Sequence, residues 1–243
     1  MEQINNTKRE RNMKQRLFSI LKFIGFMILS LAPLQILVIL IGSQSQFSTM
    51  VNSVFGIVFF VLTISIIIFL WKRYIRYSNE KAQKIGLRDL GFAFLFFLMA
   101  RVIAVVGTLL ITWIHGEDMT ANDEAIMSIT DNSGDFLAFY FFLFVLSLSI
   151  LVPIAEELTY RGIGANLLFS KKRFWLPLII TSLVFGLMHS PTNIISFLMY
   201  GCMGVVFFLS YHRRKNILDS ILVHIFNNGL PAIVITLEFM GVF

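Results

Sequence analysis

The sequence predicts an all-α fold: a polytopic membrane bundle of seven to eight transmembrane helices with its N-terminus in the cytoplasm. Three observations carry this. Of 243 residues, 57% are hydrophobic and 14% are charged, whereas a soluble domain carries about a quarter charged residues. The mean hydropathy is +0.79. The apolar residues gather in runs near the ~20 residues that cross a bilayer as a helix, and the connectors between them alternate between basic and non-basic.

The first run, Leu17–Gly42, follows sixteen residues that hold five Lys/Arg. It is longer than a signal-peptide core, and no small-residue cleavage site stands behind it, so it is read as a retained span. The next runs are Val51–Trp71, Leu90–Ile114, Phe136–Ala155, Phe174–His189, Asn193–Tyr211 and Ile217–Met240. An eighth crossing arises if the segment Gly162–Phe169 re-enters the membrane. Connectors test this count. "WKRYIRYSNEKAQKIGLRD" holds six Lys/Arg, "KKR" at 171–173 three and "HRRK" at 212–215 three. The intervening "GSQSQFSTM", "HGEDMTANDEAIMSITDNSGD" and "SPTN" hold none, and the long one carries six acids. A missed span would spoil this alternation, which the positive-inside rule requires. The chain is therefore read as a single membrane domain, residues 1–243, with a basic cytoplasmic stretch 1–16.

The net charge of +6 does not point to nucleic acid. The cations sit in short loops beside apolar spans, with no basic domain and no aromatic–basic interleaving. The expected surroundings are the lipid bilayer. One cysteine, Cys202, allows no internal disulfide and is expected to be a small buried hydrophobe.

A charge at membrane depth is costly, so each one needs a reason. Lys22, Asp219 and Glu238 lie near span ends and are read as boundary residues. Arg101 lies ~16 Å past Leu90 at 1.5 Å per residue and is expected to sit in a structural ion pair. The stretch "PIAEELTYRG" places Glu156, Glu157 and Arg161 after an uncharged run. On a helix Glu157 and Arg161 are i,i+4 with the acid first, the favourable order for an ion pair. Glu156 is ~140° round from Arg161 and is left without a local partner. Two histidines stand in other spans: His189 ends "LVFGLMH", and His224 with Asn228 shares a helix face in "HIFNN". Prolines 153, 191 and 231 recur beside these groups, compatible with a water-containing cavity.

Together these residues suit hydrolysis inside a membrane. Such a reaction needs a water, a base and donors for the developing oxyanion. Glu156 is the candidate base, His189 the group that holds the water, and His224 with Asn228 the candidate oxyanion donors. Glu157 and Arg161 are the supporting pair.

At these positions the chain resembles a known family. "EELTYR" fits EExxxR, "FGLMH" fits FxxxH and "HIFNN" fits HxxxN, in the order found in the CAAX-protease and bacteriocin-processing (Abi) family of intramembrane glutamic endopeptidases. The resemblance runs from about Phe136 to Leu230 and marks 136–243 as the family-like core. Spans 17–114 carry no such motif. It implies cleavage of a peptide or membrane-protein substrate by a glutamate-activated water, without a cofactor, in a bacterial membrane protein concerned with peptide processing, immunity or regulation. Carried over by residue, Glu156 is the base, His189 joins it at the water, and His224 and Asn228 match the oxyanion positions. One region departs from the family: spaced glycines and a Thr-Gly turn before the last motif are replaced by Gly201, Gly204 and "HRRKN".

Two rival readings use the same residues. A zinc hydrolase would take Glu and two His as ligands, although no HExxH is present. A non-enzymatic scaffold or immunity protein would not need all four of Glu156, His189, His224 and Asn228. Depth poses a conflict: with a span ending at Ala155, Glu156 falls at the cytoplasmic boundary, while His189 lies ~22 Å from that side.

Overall fold

The computed structural model describes residues 2–131 and 137–242, with side chains from residue 13 onward except those of 130 and 131. The expected start of the fourth span at Phe136, the outer acid Asp135 and the side chains of the first twelve residues lie outside this set. Among the described residues every element is helical. The helices are α1 (Glu2–Ser43), α2 (Thr49–Ser78), α3 (Leu87–His115), α4 (Ala121–Asp131), α5 (Ala138–Leu168), α6 (Trp175–Leu187), α7 (Ile194–His212) and α8 (Ile217–Phe239).

Six of these are long and apolar enough to cross a bilayer; α6, at 13 residues, is shorter, and α4 covers one end of the bundle. The chain is a multi-pass membrane protein. No separate eighth crossing forms among the described residues, because Gly162–Leu168 continues α5 rather than re-entering. Helix limits follow local chemistry. Ser48 accepts from the Val51 N–H to start α2, and Asn79, at φ 60°, ends it. The Asp89 carboxylate accepts from the Gly86 N–H at 3.0 Å to start α3, and Gly116, at φ 70°, ends it. Such left-handed terminators are the usual stop for a helix.

Helix α5 is 31 residues long and is interrupted by two wide π turns, Ser147–Leu151 and Leu158–Gly164. Pro153 explains the first. It has no N–H to give to the preceding turn, and the backbone widens just before it. The second follows directly on Glu157. Single π turns in α-helices are frequent at functional sites.

The basic connectors meet at one end of the bundle, where acids hold them together. Arg213 bonds Asp89 at 2.6 Å and Asp219 at 2.9 Å; Arg214 bonds Asp219 at 2.7 Å and Asp89 at 3.1 Å. Asp219, read as a boundary residue, is thus a structural tie between α3, α8 and the loop before α8. Lys171 donates to the Ser78 carbonyl. The Gln83 N–H donates to Asn216 Oδ1 at 3.1 Å. Glu80 accepts from the Tyr211 and Tyr74 hydroxyls at 2.9 and 3.2 Å. Burial pushes its carboxyl above the ordinary value of 4.5, more than those donors lower it.

Helices α6 and α7 pack backbone against backbone, and this contact depends on glycine. A Cβ on Gly186 would stand 2.9 Å from the Phe197 carbonyl oxygen and 3.0 Å from the Gly201 nitrogen. A Cβ on Gly204 would stand 3.0 Å from the Ser182 Cα. Small residues that let backbones approach are the common device of membrane helix packing. The departure at Gly201 and Gly204 therefore has a packing role. Cys202, between them, faces the outside of the bundle and not the core: the glycines on either side take the α6-facing surface, leaving 202 on the opposite one.

Two predictions follow from this packing. Gly186→Leu should lower stability by about 1–3 kcal/mol through overpacking against backbone that has no room to shift, read as a lower melting temperature in detergent micelles. Glu80 binds its proton more tightly folded than unfolded. Its contribution is therefore present below about pH 4.5 and lost as pH rises through the raised value. Wild-type melting temperature should fall across that window, and Glu80→Gln should flatten the fall.

Candidate active site

The site is built where α5, α6, α7 and α8 meet. Its base is an ion pair with no solvent access. Arg161 Nη1 bonds Glu157 Oε1 at 2.9 Å, both side chains fully buried. The second nitrogen, Nη2, donates to the Gly204 carbonyl at 2.9 Å. That carbonyl is reachable because Gly204 has no side chain in the way. The guanidinium also lies 4.5 Å from the Phe185 ring centre and 5.4 Å from that of Phe207, an arrangement suited to a planar cation.

His224 closes this unit. Its Nδ1 lies 2.9 Å from Glu157 Oε1, and its Nε2 lies 3.7 Å from Glu156 Oε2. A carboxylate accepts, so Nδ1 carries the hydrogen, and Nε2 is turned toward Glu156. The ring stacks on Phe207 at 4.5 Å and 18°. His224 therefore touches both glutamates, whereas the sequence reading had given Glu157 only Arg161. Glu156 is buried, and the basic side chain beside it is His224.

His189 arrives from the turn after α6. Its Nδ1 donates to the Phe185 carbonyl at 2.8 Å, which leaves Nε2 to face the cavity. The ring lies against Tyr200 at 4.4 Å and 22°, and against Phe185 at 4.4 Å. None of its nitrogens is within 4.0 Å of a Glu156 oxygen. So the structure gathers Glu156, Glu157, Arg161 and His224 side by side, and brings His189 into the wall of a cavity that His224 also lines.

Asn228 donates to the Leu148 carbonyl at 3.2 Å, and its own oxygen accepts from Asn227 at 3.1 Å. Asn227 in turn accepts from Arg101 Nη1 at 3.1 Å. The expected ion pair at Arg101 is not what forms: its partner is a neutral amide, because α3 packs on α8 at the level of "NN" and not on the acids of α5. Leu148, within the first π turn, offers its carbonyl to Asn228.

Beside this cluster lies a cavity of about 360 Å³, reached through His224 and not lined by Glu156, Glu157 or Arg161. His189, His224, Asn227, Asn228 and Arg101 line it, and α4 contributes Asn122, Asp123, Ile126 and Met127. It extends away from the basic connectors and under the acidic one. The Thr120 hydroxyl and Asp123 Oδ1 meet the Tyr200 hydroxyl at 2.8 and 3.3 Å, fixing α4 over that side. Among the described residues no group of three or more His, Cys, Asp and Glu side chains is arranged to hold a metal ion.

The depth conflict resolves through the length of α5. Glu156 stands roughly 17 Å from the Leu168 end, and His189 about 20 Å beyond Trp175. The two levels agree because the helix runs twelve residues past Glu156 rather than ending beside it. Sequence reasoning missed Phe185, Phe207, Tyr200 and Asn227. Phe185 was visible as the first letter of FxxxH, and Asn227 as the neighbour in "HIFNN". Phe207 and Tyr200 carried no signal beyond a generic apolar span.

Comparison with known proteins agrees with the motifs. YdiL of Bacillus subtilis (strain 168) is 33% identical over 91 residues, 37% of this chain and 36% of its own length. The membrane-embedded CAAX protease MroQ of Staphylococcus aureus (strain USA300) is 27% identical over 148 residues, 58% of this chain and 56% of its own. The UPF0177 protein YaiH of Lactococcus lactis subsp. lactis (strain IL1403) is 36% identical over 94 residues, 38% of each chain. The chain thus spans between about a third and just over half of the length of these relatives. No solved structure matches it. Residues 138–230, which hold all three motifs, match the family described as type II CAAX prenyl endopeptidase Rce1-like.

Proposed function

We propose that this chain is an intramembrane peptidase that hydrolyses a peptide bond in a peptide or membrane-associated protein, using water activated by Glu156. The observation that carries the reading is the placement of Glu156 beside His224, at 3.7 Å, with His224 itself in the wall of a cavity that His189 and Asn228 also line. The Rce1-like match, and a relative named as a membrane-embedded CAAX protease, support the same class. That the three relatives are bacterial supports a role in bacterial peptide processing, immunity or regulation.

In this proposal the water sits between Glu156 and His189 Nε2. Glu156 takes its proton as the oxygen attacks the substrate carbonyl. The carbonyl oxygen becomes the oxyanion and meets the second Nδ2 hydrogen of Asn228, since one hydrogen is used on Leu148. Nε2 of His224 joins as a donor when it too carries a hydrogen, with Nδ1 still bound to Glu157. Collapse breaks the C–N bond, and the proton held by Glu156 passes to the leaving amine. Glu157 and Arg161 do no chemistry. They hold His224 in register.

The test is a comparison of Glu156→Gln and Glu157→Gln. Glu156→Gln should abolish cleavage, read by peptidomics of membrane and medium from expressing cells, while stability stays within about 1 kcal/mol, because no ion pair to Glu156 is lost. Glu157→Gln should cost about 3–5 kcal/mol, because it leaves Arg161 buried without its counter-charge. Equal, fold-neutral losses in both variants would contradict these roles. Retained function in Glu156→Ala and His189→Ala would favour a binding scaffold, and cleavage lost to a chelator and restored by zinc would favour a metallopeptidase.

A further inference from the structure

Arg101 has no part in the hydrolytic steps above, yet it stands in the wall of the same cavity. It lies about 21 Å along α3 from Leu87 and is half-buried. Its one recorded hydrogen bond uses Nη1, to the Asn227 side-chain oxygen. Among the described residues no carboxylate oxygen comes within 4.0 Å of it. The acid that shares the cavity, Asp123, is engaged by the Tyr200 hydroxyl on α7.

A guanidinium has five N–H donors in a fork that fits a carboxylate. Here that fork is placed at membrane depth with a neutral partner, an arrangement that is costly unless something else completes it. Around it the cavity is lined by Ala104, Ile126, Met127, Met199, Met203 and Val234. The result is a single fixed cation beside an apolar cleft. Its neutral partner, Asn227, also holds the Asn228 amide at 3.1 Å.

We propose that Arg101 binds a carboxylate of the substrate, so that the preferred substrate is an apolar peptide segment carrying one carboxylate near the bond to be cleaved. This rests on the peptidase reading and adds the substrate class to it. The carboxylate has two possible sources, an Asp/Glu side chain or the free C-terminus of the peptide. Both present the same planar pair of oxygens to the fork. Because Arg101 bonds Asn227 and Asn227 bonds Asn228, the anchor also sets the distance between the bound carboxylate and the carbonyl that is attacked.

The experiment uses the full-length protein in detergent micelles with pools of synthetic apolar peptides. Each pool carries one Asp, Asn or Lys at a varied position, and each is made as the C-terminal acid and as the amide. Wild type should cleave carboxylate-bearing peptides with a kcat/KM about tenfold or more above their neutral isosteres. Arg101→Gln should remove that preference, mainly through KM. Arg101→Lys should keep part of it, and Arg101→Glu should turn it toward Lys-bearing peptides. Loss of the preference on amidation alone assigns the anchored group to the C-terminus; loss on Asp-to-Asn exchange alone assigns it to a side chain.

A purely structural Arg101 would change melting temperature and leave these ratios alone. Unchanged ratios in a folded Arg101→Gln, or no carboxylate preference in wild type, overturn the proposal while leaving the peptidase reading intact. Absence of any Glu156-dependent cleavage overturns both.

Discussion

The buried pair of Glu157 and Arg161 is the constraint on which the rest of the arrangement depends. Two charges with no solvent access need further polar partners to offset their desolvation, and here that need is met in part, Arg161 Nε and Glu157 Oε2 having no hydrogen-bond partner among the described residues. Gly204 supplies a carbonyl to the guanidinium, and His224 supplies a ring nitrogen to the carboxylate. Each of these partners comes from a different helix. The ion pair therefore ties α5 to α7 and α8 at one depth, and it does so only because α7 comes close. That approach requires the glycines on α6 and α7. What looks like an isolated catalytic motif is a packing motif first.

The same pair separates the two glutamates by environment although they are adjacent in sequence. Glu157 is held by a cation and an imidazole. Glu156 has no ion pair with Arg161 and stands next to His224 at a longer distance. Two neighbouring carboxyl groups placed in unlike surroundings can take unlike roles. Phe185 and Phe207 add to this by covering the guanidinium and the His224 ring.

Much of this was legible in the sequence. Apolar runs and the alternation of basic connectors located all seven apolar helices, four of them within a few residues at both ends, because lipid imposes length and charge rules that act locally. The i,i+4 spacing of Glu157 and Arg161 also survives in space. What the sequence did not show depended on distant pairings. Arg101 was expected to meet an acid, but its partner depends on which face of α8 packs on α3. The end of α5 was set too early because the polar residues after Ala155 look like a boundary, whereas they are buried against one another. The acidic connector was read as a loop, and part of it forms α4, whose attachment through Thr120 and Tyr200 has no local signature.

The two π turns of α5 have a consequence for how this helix tolerates change in length. Each wide turn holds a residue more than a regular turn would. Removing one residue after Arg161 within the second turn would let it relax to ordinary winding and leave the direction of the helix beyond it nearly unchanged. The same deletion in a regularly wound stretch would turn everything beyond it by about 100°. The wide turn therefore acts as a length buffer, which uncouples the phase of the charged motif from the winding that follows it.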